Sequence, residues 1–147
     1  MKHYILHTDG GSRGNPGHAA VGVIIDQIEP DGKLKRINGY GKYIGIATNN
    51  VAEYSAVSIA LKQLISMQSS SDSDANTYEF YLDSLLVVSQ LNGKFKIKDS
   101  TLMKHALSIR ALEKELGGVV RYIAVRREFN TVADRQVNAA LDERTSR

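Results

Sequence analysis

Four acids stand where elements of secondary structure should begin or end: Asp9, Glu53, Asp83 and Asp134. Asp9 is expected at the end of a first, central strand. Glu53 falls in the first turn of the first long helix, Asp83 just after a fourth strand, and Asp134 early in the last helix. Three of them have plain structural readings. Glu53 could close a capping box with Asn50, three residues earlier. Asp83 could N-cap a helix beginning at Ser84, and Asp134 could complement the positive end of the last helix. Asp9 is harder to explain this way. Gly10 and Gly11 follow it, and no Lys or Arg lies nearby until Arg13. A buried carboxylate without donors, cations or a metal is costly. Oxygen ligands of this kind suit Mg²⁺ or Mn²⁺. Two such ions ~3.5–4 Å apart stabilise the attacking and leaving oxygens of a phosphodiester displacement. Sequence spacing alone leaves open whether the four acids meet.

The elements that would have to position these acids follow from periodicity. Residues 2–8 read as a strand and 12–17 as a turn built on Gly14, Pro16 and Gly17. Residues 19–28, rich in Val and Ile, form a second strand, and Glu29-Pro30-Asp31-Gly32 a tight connection to a third at about 33–45. These three strands should be antiparallel neighbours. Ala56, Val57, Ala60, Leu61 and Leu64 then fall at helical spacing within 51–65. A serine-rich loop at 68–77 precedes a short buried strand at 78–82 and a short helix at 84–91 ended by Asn92-Gly93. Leu102, Ala106, Ile109, Leu112 and Leu116 mark another helix. Residues 119–125 read as a fifth strand, and a final helix from Thr131 to about Arg144 carries Val132, Val137, Ala140 and Leu141. The order is βββαβααβα, an α/β fold with a mixed sheet and helices on both faces.

The 147 residues fit a single domain, 1–147, with one core. With no Cys, thiolate metal sites, disulfide scaffolds and cysteine nucleophiles are excluded. No apolar run approaches the ~18 residues of a membrane span. The chain opens directly into Tyr4-Ile5-Leu6, so a cytoplasmic protein with no membrane partner is expected. The formal charge of +3 is mildly basic and says little by itself. His3, His7, His18 and His105 have no metal-ligand spacing and read as structural or surface residues.

Local motifs add a resemblance. Thr8-Asp9-Gly10-Gly11-Ser12-Arg13-Gly14-Asn15-Pro16-Gly17 resembles the opening motif of type 1 ribonucleases H. Thr48-Asn49-Asn50-Val51-Ala52-Glu53 is similar to their T-N-N-x-x-E segment, and Leu82-Asp83-Ser84 to the stretch with the third acid. Asn130-Thr131-Val132-Ala133-Asp134 resembles the stretch carrying the fourth. The similarity covers nearly the whole chain. It implies a ribonuclease H-like, five-stranded mixed sheet on which the four acids bind two Mg²⁺, with Mn²⁺ as substitute. Asp9 would bridge both ions, with Glu53 and Asp83 on one and Asp134 on the other. The implied reaction is endonucleolytic hydrolysis of the RNA strand of an RNA–DNA hybrid, leaving 5′-phosphate and 3′-hydroxyl ends. Gly10 and Gly11 would admit the substrate backbone, and Ser12, Asn15, Asn50 and Ser84 would lie along the nucleic acid. Asn15 and Asn50 would sit near sugar hydroxyls, which distinguish RNA from DNA, while Thr48 would hold a phosphate of the DNA strand.

Three departures from the family pattern stand out. Leu85 replaces a Gln that often follows the Ser after the third acid. The stretch Val125-Arg126-Arg127-Glu128-Phe129 lacks the His of well-known bacterial members, as in a compact branch with Arg there. Arg127 then reads either as an assistant in phosphate positioning or product release, or as a surface charge. The long basic protrusion is reduced to Gly93-Lys94-Phe95-Lys96-Ile97-Lys98. If extended, this run puts Lys94, Lys96 and Lys98 on one side, where they could track phosphates; the alternative is a solvated loop anchored by Phe95 and Ile97. A catalytically silent nucleic-acid-binding domain, or a nuclease acting on double-stranded RNA, are the competing functional readings. No obligate protein partner is expected, and the protein reads as a monomer.

Overall fold

A computed structural model describes residues 1–68 and 76–145. Strands β1 (His3–Gly14), β2 (Gly17–Ile28) and β3 (Leu34–Ala47) run as an antiparallel meander. Helix α1 (Asn49–Met67) follows, then β4 (Thr77–Leu82), α2 (Leu85–Leu91), α3 (Ser100–Leu116), β5 (Val119–Ala124) and α4 (Thr131–Thr145). A 3₁₀ turn at Arg127–Phe129 leads into α4. The sheet order is β3-β2-β1-β4-β5, with β4 and β5 parallel to β1. The expected mixed sheet and its element order are therefore present. Most of the serine-rich stretch at 68–77 and the last two residues of the chain lie outside the described residues.

Both faces of the sheet are covered, so β2 is apolar on both sides. Leu6, Val23 and Ile25 face a large core built with Val57, Leu61 and Leu64 of α1, Val87 and Leu91 of α2, and Ile109 of α3. On the opposite face Ala20 packs with Val137 and Leu141 of α4. Val132, expected with them, is 39% exposed in the first turn of α4, where it borders a small pocket with His7 and Ile24. Glycines decide how closely the helices approach. A Cβ on Gly10 would lie 2.2 Å from the Ala52 backbone of α1, and one on Gly22 2.1 Å from the Ala133 carbonyl of α4.

Two boundaries differ from expectation. β1 does not stop at Thr8; its pairing with β2 runs on to Gly14↔Gly17, and only Asn15-Pro16 forms the turn. Asp9 therefore lies within the strand rather than at its end. The run 94–98 forms no strand, and Lys94 and Phe95 both donate backbone N–H groups to the Ser89 carbonyl. Charge alternation on one side of an extended segment does not apply there. Phe95 is 52% exposed and leaves the anchoring to Ile97, which packs on the core.

Candidate active site

The sheet opens beside Asp9. The pairing of β1 with β4 ends at His7↔Tyr81, whereas its pairing with β2 continues past Asp9↔Gly22. Alternation along β1 places Asp9 on the α4 face and Gly10 on the α1 face. At this opening, groups from both faces can meet. α1 approaches until its backbone touches Gly10, and Glu53 Oε1 accepts the Gly10 N–H at 3.2 Å. Asp83 enters from the turn after β4, and Asp134 from the first turn of α4. Asp9, Glu53 and Asp83 each offer a carboxylate oxygen within 4.8 Å of the others. Asp134 lies close enough to Asp9 to act on it by charge and hydrogen bonding. All four acids line one open pocket of about 340 Å³, together with Gly10, Gly11, Ser12, Asn50, Ser84 and Arg127.

Two plain structural readings of the acids are overturned. Thr48, not Asn50, caps α1: its side chain accepts the Val51 N–H at 3.2 Å, which leaves Glu53 free to point at β1. Ser84, not Asp83, caps α2, accepting the Val87 N–H at 3.2 Å. With its cap supplied by the next residue, Asp83 turns into the pocket. Asp134 does lie in the first turn of α4, where the helix dipole favours a negative charge.

The cluster is short of positive charge. Burial pushes the Asp9 carboxyl up to about 7; the nearby charges of Asp83 and Asp134 add to this, and a hydrogen bond with Glu53 opposes it. Burial drives Glu53 well above the usual carboxylate range, and the hydrogen bond and charge of Asp9 drive it further. Burial also raises Asp83, against the pull of the Arg127 guanidinium. Glu53 Oε2 and Asp83 Oδ2 are buried with no hydrogen-bond partner. Such orphaned oxygens cost free energy unless a ligand meets them. Hard, all-oxygen donors converging with unused lone pairs fit a Mg²⁺- or Mn²⁺-sized cation.

Around the acids, the opening motif is tied to α1. Asn49 Oδ1 accepts from both the backbone N–H and the hydroxyl of Ser12, at 2.9 and 3.1 Å. The Asn49 N–H in turn donates to Asn15 Oδ1 at 3.0 Å. Arg13 is drawn to Asp142 of α4 at 2.6 Å. Sequence reasoning did not single out Asn49, Arg13 or Asn130 as site residues. Asn49 lies inside the T-N-N-x-x-E segment, but its partners Ser12 and Asn15 come from β1 and the turn after it, more than thirty residues away, and carry no local signal. A second pocket of about 490 Å³ lies alongside, where the N-termini of α1 and α3 meet; Asn15, Thr48, Asn50 and Thr101 help line it. Lys94, Lys96 and Lys98 line neither pocket.

Residues 7–140 match the family described as reverse transcriptase-like. A bifunctional protein of Mycobacterium tuberculosis is 35% identical over 138 residues, covering 94% of this chain and 35% of that protein. The chain thus spans about a third of the length of the first curated relatives it matches. Ribonuclease HI of Halobacterium salinarum is 37% identical over 137 residues, covering 92% of this chain and 62% of that protein. Among solved structures, LC11-RNase H1 in complex with an RNA/DNA hybrid superposes with a TM-score of 0.85 at 36% identity, covering 97% of this chain and 99% of that one. By fold, acid arrangement and similarity, the chain belongs to the reverse transcriptase-like family and carries a ribonuclease H-like domain close to the type 1 ribonucleases H.

Proposed function

We propose that this protein is a ribonuclease H that hydrolyses the RNA strand of RNA–DNA hybrids, leaving 5′-phosphate and 3′-hydroxyl ends. The observation that carries the reading is the meeting of Asp9, Glu53 and Asp83 within 4.8 Å, with Asp134 on the same pocket and buried carboxylate oxygens left without partners. Asp9, Glu53, Asp83 and Asp134 would hold two Mg²⁺, or Mn²⁺ in their place. Bound there, the ions supply charge stabilisation for the attacking and leaving oxygens at the phosphorus. The chain's own residues bind and orient the strand. Gly10 and Gly11 border the pocket; the space that Gly10 leaves is filled by the α1 backbone, so it is Gly11 that would admit a sugar–phosphate backbone toward the acids.

Ser12, Asn15 and Asn50 flank the path of the RNA strand, short polar groups suited to reading 2′-hydroxyls. A DNA-strand phosphate would sit in the second pocket on the α1 side, where the helix N-terminus favours an anion; the start of α3 across from it is already capped by the Asp99 carboxylate. Thr48 Oγ1 caps α1 by accepting a hydrogen bond, so its own proton remains available to a phosphate oxygen. Ser84 borders the acids from the far side. Arg127, whose charge acts on Asp83, would steady phosphate or product in the place of the His found in other members. Lys94, Lys96 and Lys98 would add outer phosphate contacts. The reduced basic run at 94–98 is read as that of a compact branch, and we propose one domain and one copy acting without an obligate protein partner. No helix among the described residues is long and apolar enough to cross a membrane; a cytoplasmic location is part of the proposal.

The test is a cleavage panel with labelled hybrid, double-stranded RNA and single-stranded RNA, each with Mg²⁺ and with Mn²⁺. Metal-dependent cutting of the hybrid, lost in Asp9→Asn, is expected. Full activity in a folded Asp9→Asn protein would defeat the mechanism. Binding of the hybrid without cutting would make it a silent binding domain.

A further inference from the structure

Asn130 sits between the 3₁₀ turn and α4 and is 1% exposed. Its carbonyl accepts the Asp134 N–H at 3.1 Å and so opens the helix that carries the fourth acid. Its own N–H donates to the Arg127 carbonyl at 2.9 Å and closes the turn that carries Arg127. The side chain does something else. Nδ2 crosses to the sheet and donates to the Thr8 carbonyl at 2.9 Å, on the residue before Asp9 and 122 residues away in sequence. Thr8 is itself fully buried. The amide also favours the charged form of Asp83.

These bonds do not describe an ordinary helix cap. Its side chain donates to β1 and leaves Oδ1 buried without a partner. A buried acceptor left unmade costs about 1–3 kcal/mol. A Ser or Asp would start the helix without that cost. What only a donor of this length supplies is the tie from α4 to the backbone of Asp9. We infer that Asn130 is a positioning residue: it fixes the Asp9 segment of β1 against the start of α4, and so sets the geometry in which Asp9 and Asp134 hold divalent cations. The inference rests on reading the acid cluster as a cation-holding nuclease centre. Partners that orient ligating carboxylates typically cost 10–100-fold in metal affinity or activity when removed, by the order of magnitude known for such contacts.

The test compares the full chain with Asn130→Ser and Asn130→Gly, uncharged replacements of which neither can donate as the amide does. Mn²⁺ alone is titrated calorimetrically into substrate-free protein, hybrid cleavage is measured separately, and urea unfolding reports the fold. For Asn130→Ser, the Mn²⁺ dissociation constant should rise about tenfold. Its kcat should fall at least about tenfold while KM for the hybrid stays within about twofold. Wild-type Mn²⁺ affinity and kcat in a variant with only a lowered urea midpoint would overturn the inference. Should Asn130→Ser fail to fold, Asn130→Gly, uncharged and tolerated at a helix start, decides the matter: a kcat within about twofold of the original overturns the inference, and a loss of about tenfold or more supports it. If the unmodified protein takes up no Mn²⁺ at millimolar concentration, the cation-centre reading itself falls. If it binds Mn²⁺ and Asn130→Ser binds equally well, only the role of Asn130 falls.

Discussion

Glu53 reaches back from α1 to accept the backbone N–H of Gly10, 43 residues earlier, at 3.2 Å. The bond forms because the α1 backbone lies directly on Gly10, where a Cβ would come within 2.2 Å of Ala52. One missing side chain thus sets the height at which Glu53 enters the pocket.

Gly10→Ala should therefore damage both stability and the site. The added methyl meets backbone, which cannot rotate away, so α1 must lift from the sheet. A loss of about 1–3 kcal/mol is expected from overpacking of this kind. Chemical denaturation measures it, and hybrid cleavage should fall with it because Glu53 moves. An Ala variant with unchanged stability would contradict the contact.

Asp9→Asn should abolish cleavage yet stabilise the metal-free fold. The substitution removes a charge that burial and two neighbouring carboxylates disfavour. A gain of about 1–2 kcal/mol, or about 3–6 °C in Tm for a chain of this size, is the expected scale. Thermal unfolding in chelator compares the two proteins. A lower Tm for Asp9→Asn would show that the carboxylate is satisfied without metal.

The same upward shift of the Asp9 carboxyl fixes a pH dependence. Asp9 titrates near its ordinary value of 3.8 when unfolded and at about 7 when folded. Between those values the folded state holds more protons, so metal-free stability falls as pH rises from about 4 through about 7. Glu53 and Asp83 shift in the same direction. Divalent cations bind the deprotonated cluster, so their affinity should rise over the same range. Urea midpoints from pH 5 to 8, with chelator and with Mn²⁺, should diverge. Parallel curves would contradict the coupling.

Arg127 is the cation whose charge pulls Asp83 down against burial. Arg127→Ala should lower kcat about tenfold with little change in KM, and Arg127→Lys should restore part of it, lacking the planar fork. Single-turnover and steady-state rates together separate chemistry from product release. A variant with unchanged rates would leave Arg127 as a surface charge.

Replacing Lys94, Lys96 and Lys98 with Gln should weaken hybrid binding without altering kcat. If all three contact phosphates, the slope of log Kd against log salt should fall by about 2–3. An unchanged slope would remove the loop from the interface, since it forms no strand that aligns the three charges.

Much of this arrangement could be read from residue order. The Val/Ile runs, the Pro30-Asp31-Gly32 turn and the apolar spacing of α1, α3 and α4 specify strands and helices because those signals are local. The same holds for Gly93, whose positive φ ends α2 as expected. The local signals misled where two capping residues compete. Asn50 and Asp83 each look like helix starters, yet Thr48 and Ser84 hold those positions, and the structure turns both neighbouring acids toward the pocket.

By itself the sequence determined the elements and their order and singled out the four acids, because backbone periodicity and turn chemistry act over a few residues. Only the tertiary structure decided that β4 leaves β1 after His7, that α1 settles on Gly10, and that the amide of Asn130 reaches the Thr8 carbonyl. Those outcomes depend on close packing between segments 43 to 122 residues apart. No local pattern encodes the distances that bring the carboxylates together.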